Sequence, residues 1–104
     1  MTTILTDYQG RQIRLTDERR EHILMHPEMA DMEPAIAIAL STPEVVRRSN
    51  TDSSVYLYYR YHKNTTVGDK WLCVVIKYLE DDAFIITAYL TDKLKAGEQL
   101  CPKT

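Results

Sequence analysis

Lys77 interrupts an otherwise apolar run from Trp71 to Leu79, and a second run from Ala83 to Thr91 carries Thr87 and Tyr89. A lysine amid hydrophobes either reaches out to water or meets an anion, and a cation beside two hydroxyls suits a phosphate group. A lysine guarding a sheet edge against pairing is the plain structural alternative. Both runs read as β-strands, joined by the acidic turn Glu80-Asp81-Asp82. Side chains alternate faces along a strand. If Leu79 pairs with Ala83, Trp71, Cys73, Val75 and Lys77 share a face with Ile85, Thr87, Tyr89 and Thr91. The even positions Leu72, Val74, Ile76 and Tyr78, with Phe84, Ile86, Ala88 and Leu90, then form the side to bury.

Glu18, His22 and His26 recur every fourth residue, so an uninterrupted helix would stack them as a potential zinc triad. Ile23 stands where the metalloprotease pattern needs a glutamate, so the reading is an exposed helical face with no metal and no cofactor. Of the seven tyrosines, those at 56, 58, 59, 61 and 78 are interleaved with Arg47, Arg48, Arg60, His62, Lys63 and Lys77. Aromatic rings among cations hold single-stranded nucleic acid by stacking and phosphate contact. Tyrosine rings also simply cover apolar core.

The elements that must position these groups follow from the pattern. Residues 3–15 read as a small hairpin turning at Gln9-Gly10. Thr16 is an N-cap for a helix ending near His26, because Pro27 disfavours helical geometry before it. Residues 31–41 read as a second helix, with Pro34 tolerable only in its first turn. Residues after Pro43 give a short strand and then a longer one over 55–62, with Tyr56, Tyr58, Arg60 and His62 on its wetter side. Residues 63–70 read as a polar loop, and 97–104 as a loosely ordered tail of a single domain spanning 1–104. Helices followed by strands argue an α+β fold, the N-terminal helices packing on one face of a four-stranded antiparallel sheet.

Composition is that of a soluble globular chain, 44% hydrophobic and 27% charged, with no apolar run long enough to span a bilayer. Without a leader-like N-terminal pattern, the expected location is the cytoplasm, and Cys73 and Cys101 are expected as free thiols. A net charge of −2 argues against unspecific attraction to nucleic acid, although residues 43–79 carry six basic and three acidic side chains.

RLTDERREHILMHPEM, then LSTPEVVRRS, YYRY, W-x-C-V-V-I-K and F-I-I-T-A-Y-L-T-D together resemble the phage-type branch of the barnase/EndoU/colicin/RelE-like (BECR) nuclease superfamily, over roughly residues 13–97. The resemblance implies a RelE/barnase-like, toxin- or phage-effector-like endoribonuclease that needs no metal and lets the RNA's own 2′-OH form a cyclic phosphate. Carried over, His22 is the acid/base group, Lys77 or Arg48 the phosphate cation, and Thr87 and Tyr89 the positioning hydroxyls. Tyr58 or Tyr59 would stack a base, and Arg60 and Thr91 complete the substrate contacts. RNA and an antitoxin- or immunity-like inhibitory protein are the implied partners. The alternative is a module without catalysis whose tyrosine-rich face grips a protein or nucleic acid.

Overall fold

The computed structural model describes residues 1–102. Its centre is one seven-stranded sheet: β1 Thr3–Thr6, β2 Gln12–Leu15, β3 Val45–Ser49, β4 Val55–Thr65, β5 Gly68–Tyr78, β6 Ala83–Thr91 and β7 Gly97–Cys101. The strand order is β1-β2-β6-β5-β4-β3-β7, antiparallel throughout except that β2 runs parallel to β6. Two short helices, α1 Asp17–Leu24 and α2 Glu33–Ser41, and a single 3-10 turn at Pro27–Met29 are the other regular elements among the described residues. The four-stranded antiparallel sheet expected from the sequence is therefore wrong: the sheet has seven strands and is mixed, with helix only 20% of the chain. The N-terminal hairpin and the expected tail both join it, the latter as β7 paired with β3. Lys103 and Thr104 lie outside the described residues.

Local chemistry explains the elements. Thr16 sits extended and accepts from the Arg19 N–H at 3.2 Å, while Asp17 and Glu18 occupy the dipole-favoured first turn of α1. The helix stops at Leu24, short of His26, which is already extended ahead of Pro27. In the β1–β2 turn Gly10 takes φ +88°, and Asp7 Oδ1 accepts from the N–H groups of Gln9 and Arg11, both at 2.9 Å. The expected polar loop at 63–70 is mostly strand, because Asn64 (φ 60°) and Gly68 (φ 97°) let β4 and β5 close a tight hairpin.

One side of the sheet buries Val46, Tyr58, Leu72, Val74, Ile76, Ile85 and Ala88 against Ile23, Met29, Ile36, Ala39 and Leu40. The register there corrects the simple even-odd rule. Pairing jumps from Val75–Thr87 to Ile76–Ile85, so a bulge at Ile86 turns Ile85 and Ala83 inward and Phe84 out beside Lys77. Tyr58, expected on a wetter side, is fully buried in this core.

The opposite side holds a second cluster, Leu57, Tyr59 and Cys73, with Val45, Trp71, Val75, Tyr89 and Leu94 packed on it. Its cover is the connection Asp92–Ala96, which must carry the chain from β6 across β5, β4 and β3 to β7. Four strand spacings amount to ~19 Å, and the link from Thr91 to Gly97 reaches roughly 20–22 Å when fully drawn out. Thr91 lies level with Trp71, whereas Gly97 lies level with Ser49 at the other end of the strands. The link is thus a taut diagonal strap, and the sheet must twist and curl towards it. Gly97 receives the strap where a Cβ would collide with the Arg48 carbonyl. Among the described residues no helix is long and apolar enough to cross a membrane.

Candidate functional site

Beside the strap lies a basin of about 550 Å³ whose floor is Val55, Leu57 and Val75. Its polar rim is made of Thr87 and Tyr89 from β6, Lys95 from the strap, and Ser49, Asn50 and Thr51 from the end of β3 and the turn after it. Among the described residues no carboxylate, histidine or thiol lines it. The Lys95 N–H donates to the Tyr59 hydroxyl at 3.0 Å, and the Lys95 amine lies 6.0 Å from the centre of the Tyr89 ring. Arg47, on the same face, donates to the Lys95 carbonyl at 2.8 Å and to Gln99 at 3.3 Å. Among the described residues neither Lys95 nor Arg47 is paired with a carboxylate, so two positive charges at the strap are offset only by neutral dipoles. The Arg47 Nε is buried without a partner. Local charge therefore favours an anion here despite the net −2 of the whole chain.

Burial raises the Tyr89 hydroxyl, with the neighbouring Cys73 adding to the effect, so Tyr89 stays protonated at neutral pH and remains a donor. Burial likewise pushes Tyr59 up to about 12, against the lowering effect of the hydrogen bond from the Lys95 backbone. The Cys73 thiol is raised by its own burial, which makes it an inert thiol beneath these rings.

No protein-family model, curated protein or solved structure matches this chain. The site therefore rests on its own geometry, and the residues singled out from the sequence divide accordingly. Thr87 and Tyr89 meet in the basin, and Thr91 lies on the same face, where its hydroxyl accepts from the Lys93 N–H at the start of the strap. Lys77 is on that face as well, but Asp52 holds its amine at 2.7 Å, and it does not line the basin. Hydrogen bonds from Lys77 first and from Ser54 second draw the Asp52 carboxylate far below the usual range. Asp52 is therefore a carboxylate throughout the physiological pH range.

The remaining assignments are not brought together. His22 is exposed on α1, a helix that buries Ile23 on the opposite side of the sheet, so it does not reach Thr87 or Tyr89. His26 lies beyond the helix end, which breaks the fourfold stacking with Glu18 and His22, and no metal-holding cluster forms among the described residues. Arg48 and Arg60 also project to the helix side. Arg48 pairs with Glu98 at 3.3 Å and covers the Tyr56 ring, and Arg60 donates to the Thr42 carbonyl at 2.7 Å. Tyr58 and Tyr59 are both fully buried, on opposite faces, and neither offers a ring to a base.

Lys95 is the group that sequence reasoning missed, and Arg47, counted among the cations interleaved with the tyrosines, was passed over for the phosphate in favour of Arg48. The choice of Arg48 over Arg47 turns on whether Val45 or Val46 faces the helices, and the adjacent valines leave that open. The structure buries Val46 completely and so turns Arg47 towards the basin. Lys95 carries no local signal, because its position follows from the pairing of β7 with β3.

Proposed function

We propose that the protein binds single-stranded RNA across the strapped face and acts on the phosphodiester seated in the basin. The observation that carries this reading is the meeting of Thr87, Tyr89 and Lys95 around a space with no carboxylate in its lining. Lys95 and Arg47 would attract the phosphate and offset the extra charge of a pentacovalent transition state, while the two hydroxyls orient its oxygens. A hydroxyl and amine lining is a poor donor set for magnesium or zinc, which supports attack by the RNA's own 2′-OH without a metal ion. Water in the open basin would take the 2′-OH proton, and Tyr89, kept protonated by burial, would donate a hydrogen bond to the departing 5′-oxygen, which takes its proton from solvent. The sequence resemblance to metal-independent endoribonucleases supports the same class of activity, with Thr87 and Tyr89 as the catalytic assignments the two share in the basin. Both cysteines are free thiols, and we place this activity in the cytoplasm, where such thiols persist.

A second reading, binding without cleavage, is favoured by one observation: the basin lining contains no histidine or carboxylate to take the 2′-OH proton. One experiment separates the two. Labelled RNA is titrated by fluorescence anisotropy in EDTA, and the products are inspected for 2′,3′-cyclic phosphate ends. Saturable binding that Lys95→Ala weakens supports the site, and cyclic ends lost in Tyr89→Phe support catalysis. Intact RNA with unchanged binding affinity leaves the module reading. RNA that fails to bind at all removes both.

A further inference from the structure

At the other side of the strap, away from the basin, Tyr61 and Trp71 face each other across β4 and β5. Their ring centres are 5.1 Å apart at 68°, and Tyr61 is 40% exposed. In an edge-to-face pair, whichever ring presents its edge, at least one face of Tyr61 is left uncovered by Trp71. Behind them Tyr59 braces Trp71 from 6.3 Å at 86°, so the platform is held by packing. We propose that Tyr61 and Trp71 form a stacking platform for one nucleobase of the single-stranded RNA whose phosphate occupies the basin. This rests on the RNA-binding reading above and adds to it where a base is held.

Charge argues for a nucleic acid rather than an apolar protein segment. Lys63 is exposed on β4 two positions beyond Tyr61, and Lys93 and Lys95 lie along the strap between the rings and the basin. Among the described residues none of these three amines is held by a carboxylate, and Asp92, the acidic group of the strap, is taken up by Lys70. Glu44 and Asp69 are the acidic neighbours of the platform, the Glu44 carboxylate accepting from the Tyr61 N–H at 2.7 Å and the Asp69 carboxylate from the Asn64 N–H at 2.9 Å. Trp71 is about 13 Å along β5 from Val75 on the basin floor, within reach of one short oligonucleotide crossing the lysines of the strap. Stacking on such a platform is tolerant of base identity, so the platform would fix the strand's position more than its sequence.

Trp71 is the single tryptophan of the chain, so its emission reports the platform directly. The probes are a labelled 2′-O-methyl oligouridine, which cannot be cleaved, and an abasic oligomer of the same length. The oligouridine should quench Trp71 over the same concentrations that raise its anisotropy. The abasic strand should bind about fivefold or more weakly and leave the emission unchanged. Tyr61→Ala, checked for an unaltered unfolding midpoint, should weaken oligouridine about fivefold and leave the abasic strand unaffected. If oligouridine binds by anisotropy without quenching, and Tyr61→Ala changes nothing, the platform is rejected while the phosphate basin stands. If neither oligomer binds, the platform falls together with the RNA-binding reading.

Discussion

Replacing Asp7 by alanine should cost more stability than any other change outside the apolar core, about 3 kcal/mol. Among the described residues Asp7 is the one charged residue in the interior, at 3% exposure, and it accepts four hydrogen bonds. Two come from the backbone N–H groups of Gln9 and Arg11, one from Arg11 Nε at 3.0 Å and one from the Tyr78 hydroxyl at 2.8 Å. Tyr78 in turn shares a 2.7 Å hydrogen bond with Tyr58 in the helix-side core, and the Arg11 guanidinium lies 4.2 Å above the Tyr78 ring. The N-terminal hairpin is thereby locked to β4 and β5 through a single carboxylate. Breaking a buried ion pair typically costs about 3–5 kcal/mol, and the 43% exposure of the Arg11 side chain puts this one at the lower end. In a domain of this size, ~3 kcal/mol lowers the thermal midpoint by roughly 12–24 °C. Tyr78→Phe leaves the Tyr58 hydroxyl without a partner in the core and should cost about 1–3 kcal/mol. The double variant should lose less than the sum of the two, since both remove the same Asp7–Tyr78 bond. Urea unfolding measures all three. A loss under ~1 kcal/mol for Asp7→Ala, or strict additivity, would refute the argument that the network acts as one lock.

Lys77→Ala should leave RNA affinity almost unchanged, because its charge is already consumed by Asp52, whereas Lys95→Ala should reduce the salt dependence of binding by about one unit of slope. Equal losses from both variants in a salt titration would contradict that division. The half-buried His62 is lowered by desolvation and by Arg60, and its Nε2 is buried without a partner, so the folded state takes up its proton at lower pH than the unfolded chain does. Stability should therefore fall as pH drops below the unfolded value of about 6.5, and His62→Gln should flatten this limb of a urea-midpoint profile. A profile as steep in the variant as in the parent would count against it. Gly97→Ala should displace the strap and weaken RNA binding more than it lowers overall stability, measured by anisotropy and unfolding in parallel.

What the sequence disclosed was local. Thr16 as a cap and the strand character of Trp71–Tyr78 and Ala83–Thr91 follow from composition and spacing within a few residues. The company of Thr87 and Tyr89 on one face follows from alternation and survives the bulge, which falls beyond them at Ile86. What was hidden depends on distant pairing. Whether Tyr59 is exposed is decided by a strap that follows it by some thirty residues in sequence, and the parallel seam between β2 and β6 rests on one register pair, Arg14 with Phe84. Lys77 looked available because its partner lies in a turn that reads as generic. Only the pairing of Val55 with Lys77 brings Asp52 within reach of it.

The diagonal connection also couples occupancy of the face to the far border of the sheet. Lys95 belongs to a segment with little slack, anchored at one end by β6 and at the other by the outermost strand. Any anion that grips Lys95 adds its binding energy to the docking of β7, and any fraying of β7 loosens Lys95. Amide protons of Gly97–Cys101 should accordingly exchange more slowly once ligand is bound, making that border a remote gauge of whether the basin is filled.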